Sequence, residues 1–357
     1  MIKPGHLNKG DRVAIVSLSS GLLGEPQCAH QLKLGVRRME EAGMVPVFMN
    51  NTLKGLQHLH DNPQARADDL KQAFFDDEIK AVFSAIGGDD TYRLLPYLLD
   101  DAGFVENVRT NPKIFMGFSD TTNNHLMFHR LGLVSYYGPS FLTDFAEHDQ
   151  HMLAYTEHAI NNLFRTDAIM DIQSSPTWYM DRTDYSVKAL GTPRRQHVEN
   201  KGHDIIYGNG IIEGPLLGGC LESLYDGYTG DRYPDQKVLY DAYRLMPTLG
   251  EWRNKIMFLE TSEEKPSPES FQRYMDHFSV HGIFNVIAGL MVGKPIDEVH
   301  YDAYRLILER YAIRHDLPVI YNINFGHSCP RTILPYGLNT IVNFPAKTIR
   351  IGEPLFG

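Results

Sequence analysis

Apolar runs alternate with amphipathic segments through the first half of the chain. The runs predict strands and the segments with helical spacing predict helices. The predicted strands are 11–18, 45–49, 79–86, 113–117 and 133–137, and the predicted helices are 26–42, 65–75, 92–99, 123–131 and 151–164. Strands that alternate with helices are typical of parallel βαβ units, in which helices cover both faces of the sheet.

The pattern fails between residue 165 and about residue 207, where polar residues dominate. We interpret this stretch as a connection with a loop that reaches over the site. Trp178 lies in it and either stacks on a ligand or packs the loop onto the body of the protein.

Regular patterns return at residue 210. Predicted strands are 210–214, 255–259, 286–292, 318–321, 339–343 and 348–351, predicted helices are 268–281 and 301–314, and 218–224 resembles a turn that enters a helix. The sequence therefore predicts an α/β protein with three parts. These are an N-terminal parallel-sheet domain (1–165), a connecting segment (166–209) and a C-terminal α/β domain (210–357).

The composition of the chain disfavours several classes of function. The 357 residues carry a net charge of -10, which disfavours binding to the phosphate backbone of nucleic acids. The three cysteines form no CxxC pair, and no apolar run approaches the length of a membrane span. The first residues contain no apolar signal-peptide region, so we expect a cytoplasmic protein with neither nucleic-acid nor membrane partners.

Ser119 follows an apolar run and precedes a helical segment, within Gly117-Phe118-Ser119-Asp120-Thr121. A serine on such a turn is typical of a nucleophile elbow, although Thr121 stands where the usual motif has glycine. The alternative is an ordinary strand-to-helix turn in which Ser119 and Asp120 cap the helix. Gly87 and Gly88 end the preceding predicted strand, where a backbone N–H group can serve as an oxyanion donor opposite Ser119.

Two further residues follow apolar runs in the second half. Glu260 ends a buried run, where a carboxylate is costly unless it is paired, and His327 lies in a loop after a later strand. Glu260 could instead cap the next element or face water beside Glu263 and Glu264. Taken together, Ser119, Glu260 and His327 give the chain order of α/β-hydrolase triads. We expect no metal site, because His125 and His129 lie four residues apart but lack the glutamate of H-E-x-x-H.

The residues also match a known family. Six marks occur in the right order: Ala65–Leu70, Ile86–Gly88 with Arg93–Tyr97, Gly117–Thr122, Gly214–Glu222, Phe258–Glu264, and Phe325–Ser328 with Leu334–Gly337. The chain resembles the LD-carboxypeptidases, a family of serine peptidases with muramoyl-tetrapeptide carboxypeptidase and microcin C immunity branches.

The resemblance implies that the C-terminal α/β domain is the smaller one and that the active site lies between the two domains. It also implies roles for individual residues. Ser119 would be the nucleophile, His327 the base and Glu260 the acid that orients it. The oxyanion hole would be formed by backbone N–H groups of Gly87 or Gly88 and of Asp120. Asp89, Asp90, Glu222 and the Trp178 loop are candidates for substrate contacts.

The resemblance also implies a homodimer, and the triad implies a hydrolase without cofactor or metal. Asp89-Asp90-Thr91 stands where muropeptide-cleaving members tend to have a glycine-rich turn. The long connection with Trp178 and the segments Gly219–Glu222 and Leu259–Ser262 look closer to the immunity branch. The substrate is then a small peptide or an aminoacyl-nucleotide whose amide bond is cleaved. Two alternatives stay open, a non-catalytic peptide- or nucleotide-binding protein and an esterase or acyltransferase with the same triad.

Overall fold

Two large sheets, each covered by helices, and one separate two-stranded sheet make up the protein. The computed structural model describes all residues 1–357. The first part of the chain contains strands β1 (Arg12–Val16), β2 (Val45–Phe48), β3 (Ile79–Ser84), β4 (Ile114–Gly117) and β5 (Tyr136–Tyr137). Its helices are α1 (Ala29–Glu41), α2 (Leu56–Asp61), α3 (Pro63–Phe75), α4 (Leu95–Leu99), α5 (Ala102–Thr110), α6 (Thr122–Leu131) and α7 (Ala154–Asn161).

The second part of the chain contains more strands. They are β6 (Asp171–Ile172), β7 (Thr177–Tyr179), β8 (Gln196–Val198), β9 (Asp204–Tyr207), β10 (Ile211–Cys220), β11 (Ile256–Glu260), β12 (Gly289–Gly293), β13 (Val319–Ile323), β14 (Leu334–Pro335), β15 (Asn339–Asn343) and β16 (Thr348–Ile351). The helices are α8 (Leu221–Thr229), α9 (Pro234–Tyr243), α10 (Leu249–Trp252), α11 (Pro268–Val280) and α12 (Tyr301–His315).

The first sheet has the strand order β14-β5-β4-β3-β1-β2. β1 to β5 pair in parallel, and β14 adds an antiparallel edge strand from the far end of the chain. The second sheet has the order β6-β16-β15-β10-β11-β12-β13-β9, and β10 to β13 are its parallel centre. This confirms the predicted α/β class with parallel sheets. Parallel strands covered on both faces explain the continuous apolar runs of the sequence.

Local structure adds to the sequence-based picture in two places. The stretch 166–209 contains four short strands, of which β6 and β9 form the two edges of the second sheet. Edge strands are short and half exposed, so they carry little apolar periodicity. The predicted turn at 218–220 is the last part of β10, where the absence of a Cβ on Gly218 allows the backbone to approach Phe258 of β11 closely.

A single cluster of 89 buried apolar residues runs through both sheets, from Leu7 to Phe356. The core is therefore continuous between the two halves of the chain, and their strand ends face a shared cleft. No helix in the structure is both long enough and apolar enough to cross a bilayer.

Candidate active site

Ser119 occupies a strained turn between β4 and α6. Its φ angle is +66°, which is unusual for a residue other than glycine, and it begins a 3₁₀ turn that spans Ser119–Thr121. Holding a serine in the left-handed region costs free energy, and such strain is concentrated at functional sites. This geometry is that of a nucleophile elbow, and the side chain opens into a cavity.

The glycine turn after β3 lies against Ser119. A Cβ on Gly87 would come within 2.7 Å of the Ser119 Cβ atom and 2.9 Å of its Oγ atom, so only glycine fits this close approach. The adjacent Gly88 has φ +150° and lines the same cavity as Ser119 and Asp120. The backbone N–H groups of Gly87, Gly88 and Asp120 donate to no acceptor in the protein. Unpaired N–H groups beside a serine are available to a developing negative charge.

Glu260 and His327 form a buried hydrogen-bonded pair. Glu260 Oε2 accepts from the backbone N–H of His327 at 3.0 Å and lies 2.7 Å from His327 Nδ1. The carboxylate is at the end of β11 and its side chain is 1% exposed. These contacts fix the orientation of the imidazole ring and direct the Nε2 atom away from Glu260. The structure therefore brings together the two residues that sequence reasoning paired.

Tyr137 connects this pair to the serine turn. Its hydroxyl donates to Glu260 Oε1 and accepts from the backbone N–H of Ser119, with an N–O distance of 3.1 Å. Tyr137 ends β5, which pairs with β4 through Gly117. Sequence reasoning missed this residue, although a tyrosine at the carboxyl end of the strand beside the Ser119 strand was a usable signal.

His327 Nε2 lies 2.9 Å from Oε2 of Glu263, an exposed residue. Burial alone would lower the pKa of the His327 imidazole, but the charges of Glu260 and Glu263 and the hydrogen bonds to them outweigh burial and raise that pKa to about 10. The hydrogen bond from His327 lowers the pKa of Glu263 to about 2. In this conformation His327 is an imidazolium between two carboxylates.

The cavity in front of Ser119 has a volume of about 300 Å³ and is lined by both halves of the chain. Six of its lining residues are acidic: Asp89, Asp120, Glu222, Asp226, Glu263 and Glu264. Burial raises the pKa of Glu222 to about 7, and burial raises the pKa values of Asp120 and Asp226 to about 6. The only cationic lining residue is Arg232.

Two of the residues predicted to contact substrate line this cavity. Asp89 is half exposed and its carboxylate accepts from the Tyr233 hydroxyl at 2.7 Å. Glu222 is buried at the start of α8, where its Oε1 atom accepts from the backbone N–H of Ser262 at 3.0 Å and from its hydroxyl at 2.7 Å.

The structure locates the other two candidates elsewhere. Asp90 is paired with Arg66 and Arg93 and borders a neighbouring cavity rather than the one in front of Ser119. Trp178 is 8% exposed, with its ring stacked 4.2 Å from that of His197 and with Lys294 Nζ 5.1 Å from its centroid. In this structure Trp178 therefore packs mainly within the connecting segment, and its contact with substrate stays a prediction.

The side chains that could bind a metal ion are few, and most of them already form hydrogen bonds within the protein. Cys220, Glu260 and His327 offer ligand atoms within 4.8 Å of one another, but Glu260 and His327 already bond to each other. His125 is a core residue, with Nδ1 at 2.7 Å from Ser135 Oγ and Nε2 at 2.9 Å from the Gly117 carbonyl oxygen.

Comparisons with known proteins agree with this architecture. The LD-carboxypeptidase N-terminal domain model matches residues 13–138, and the C-terminal domain model matches residues 213–342. A probable murein peptide carboxypeptidase of Bacillus subtilis (strain 168) is 28% identical over 97% of this chain and 93% of that relative. The microcin C7 self-immunity protein MccF of Escherichia coli is 26% identical over 81% of this chain and 78% of that relative.

Among solved structures, an MccF-like protein from Streptococcus pneumoniae in complex with AMP superposes with a TM-score of 0.91. It is 47% identical to this chain, and the match covers 95% of this chain and 98% of that protein. The two domain models together span most of the chain, in the order seen in the fold. The chain belongs to the LD-carboxypeptidase family of peptidases.

Proposed function

We propose that the protein is a serine carboxypeptidase or amidohydrolase with a Ser119–His327–Glu260 triad. The observation that carries the proposal is the Glu260–His327 pair, with Nδ1 at 2.7 Å from the carboxylate, which Tyr137 links to a serine in the left-handed conformation. A carboxylate on Nδ1 fixes the tautomer in which Nε2 can accept a proton.

In the proposed reaction Ser119 Oγ attacks the carbonyl carbon of an amide, and His327 Nε2 takes the hydroxyl proton. The free N–H groups of Gly87 or Gly88 and of Asp120 stabilise the oxyanion, each donor contributing about 3 kcal/mol. The C–N bond then breaks, and His327 gives its proton to the leaving nitrogen. Water, deprotonated by His327, attacks the acyl carbon, the bond to Ser119 Oγ breaks, and His327 returns the proton to Oγ. Before these steps can begin, the Glu263 side chain must move away from His327 Nε2.

The substrate is a small molecule with an amide bond, either a muropeptide or an aminoacyl-nucleotide. The AMP bound to the relative that is 47% identical favours the nucleotide. Asp89 and Glu222 are the candidate substrate contacts that border the cavity. Trp178 would take part only if it left its stack on His197. A homodimer also stays a prediction of the family resemblance.

A turnover assay with mass-spectrometric detection tests this proposal. The panel contains a muropeptide tetrapeptide that ends in D-Ala and an aminoacyl phosphoramidate of adenosine. We expect the wild type to cleave at least one of them and Ser119→Ala to lower kcat by about 10⁴-fold or more.

The outcomes separate the alternatives. If wild type and Ser119→Ala behave identically, the triad is wrong. If wild type binds both compounds and cleaves neither, the protein is a binding module. Cleavage of ester substrates with partitioning to added nucleophiles would instead indicate an esterase or acyltransferase.

A further inference from the structure

Arg232 carries the only positive charge among the residues that line the cavity in front of Ser119. Every other charged residue that lines the space in front of Ser119 is a carboxylate, and the whole chain has a net charge of -10. Arg232 is therefore the one lining residue whose charge attracts an anionic group, in a cavity whose acidic wall lowers the local potential. Both substrate classes of the proposed function carry such a group next to the leaving nitrogen, a terminal carboxylate or a nucleotide phosphate.

The turn that carries Arg232 is held on both sides. It connects α8 to α9, and the Tyr225 hydroxyl donates to Asp231 at 2.7 Å. On the other side the Tyr233 hydroxyl donates to Asp89, also at 2.7 Å, which ties the turn to the half of the chain that contains Ser119. A guanidinium on a fixed turn loses little conformational freedom when it binds an anion.

The guanidinium keeps donors for a ligand. In both of its ion pairs the nearest guanidinium atom is Nη2, at 3.0 Å from Glu264 and 3.8 Å from Asp89, and its side chain is 40% exposed. The edge formed by Nε and Nη1 is not the part of the guanidinium nearest to either carboxylate, so a planar anion can approach it and accept two parallel hydrogen bonds. Glu264 competes for the same charge.

We propose that Arg232 binds the anionic group of the substrate on the leaving-group side and so determines specificity for it. This inference rests on the proposed function of the same cavity. The shared chemistry is a carboxylate or phosphate anion, and the two arms of the experiment distinguish these sources.

The first arm measures turnover of a tetrapeptide that ends in D-Ala, as the free carboxylate and as the carboxamide. Arg232→Gln should raise KM for the carboxylate about 10- to 100-fold, the usual effect of losing a hydrogen bond to a charged group, and leave kcat within a few-fold. The carboxamide should show no such penalty. Glu264→Gln removes the competing carboxylate and should lower KM for the free carboxylate.

The second arm measures binding of AMP and adenosine by calorimetry and needs no turnover. In the wild type AMP should bind more tightly than adenosine, and Arg232→Gln should reduce that preference at least about 10-fold. The matched control is Arg273→Gln, which removes the same charge from an exposed residue of the same half, packed against Tyr225 and Tyr274 and not part of the cavity lining.

The two proposals fail in different ways. If no substrate is cleaved but the AMP preference depends on Arg232, the catalytic proposal is wrong and the anion site stands. If neither the carboxylate preference nor the AMP preference depends on Arg232, or if Arg273→Gln has the same effect, the assignment of Arg232 is wrong.

Discussion

Glu260 and Glu263 contact different nitrogen atoms of His327 and therefore affect its function as a general base differently. Glu260 is buried and holds Nδ1, whereas Glu263 is exposed and holds Nε2, the atom that must accept the serine proton. A base is useful only while it is unprotonated, and a pKa of about 10 keeps His327 charged at neutral pH. The contact with Glu263 therefore describes a resting conformation.

Replacing Glu263 by glutamine should move the acidic limb of the pH profile of kcat/KM to lower pH. The substitution removes one of the two charges that raise the pKa of His327, so the neutral imidazole persists to lower pH and kcat/KM at pH 7 should rise. The matched control is Glu264→Gln, which removes the neighbouring charge without contacting His327 and should change KM without moving the acidic limb. A limb that stays where it is in Glu263→Gln, or that shifts equally in the control, would contradict this assignment.

At the scale of elements, the ends of three strands from two sheets meet around one phenol. Tyr137 of β5 contacts the turn after β4 and the last residue of β11, so its hydroxyl joins the serine turn to the acid. Both partners are buried, and a buried polar group without a partner is costly. Neighbouring Tyr136 is equally buried but points to the other face, where its hydroxyl donates to the Leu355 carbonyl oxygen at 2.7 Å.

The two tyrosines form a matched pair of variants. Tyr137→Phe should destabilise the fold by about 1–3 kcal/mol and also lower kcat with little change in KM, because Glu260 and the Ser119 turn lose their common partner. Tyr136→Phe should cost a similar free energy of unfolding and keep kcat. Denaturant titrations and steady-state kinetics on both variants test this. Equal kcat values for the two variants would show that Tyr137 is only structural.

The positions of the site residues in strands and loops explain which of them could be predicted from the sequence. Ser119, Glu260 and His327 follow apolar runs, and strand ends collect functional groups in α/β sheets, so their grouping was predictable. Tyr137 also ends an apolar run, and this position at a strand end was the one sequence signal that distinguished it from a core tyrosine. Trp178 was ambiguous because its burial depends on pairing between β7 and β8, which are separated by a long loop.

Other contributors to the site depend on contacts that no sequence pattern records. Glu263 belongs to an acidic pair that resembles a solvated surface, and only the fold brings it to Nε2 of His327. Arg232 lies in a charged turn between two helices. That it is the only cationic residue of the cavity can be recognised only when the lining of the cavity is known. In each case the missing information is a long-range contact rather than a local preference.

On the scale of the whole molecule, the two halves share more than the cleft. β14, from the end of the chain, pairs with β5 at the edge of the first sheet. Arg331 and Asp144 form a buried ion pair across the halves, with Nη1 at 3.0 Å from Oδ2, and Arg331 also covers the ring of Phe118 at 4.3 Å. The continuous apolar core adds to these links. Neither half of the site is expected to persist when the other unfolds.

We therefore predict one cooperative unfolding transition in scanning calorimetry, with equal calorimetric and van't Hoff enthalpies. Arg331→Gln leaves Asp144 buried without its partner and should lower the free energy of unfolding by about 3–5 kcal/mol, moving the whole transition to lower temperature without splitting it. The control Lys237→Gln removes an exposed ion pair with Asp241 and should change the free energy of unfolding by about 1 kcal/mol or less. Two resolved transitions in the wild type, or a split transition in Arg331→Gln, would mean that the halves fold independently and that the cleft is formed by docking of two stable domains.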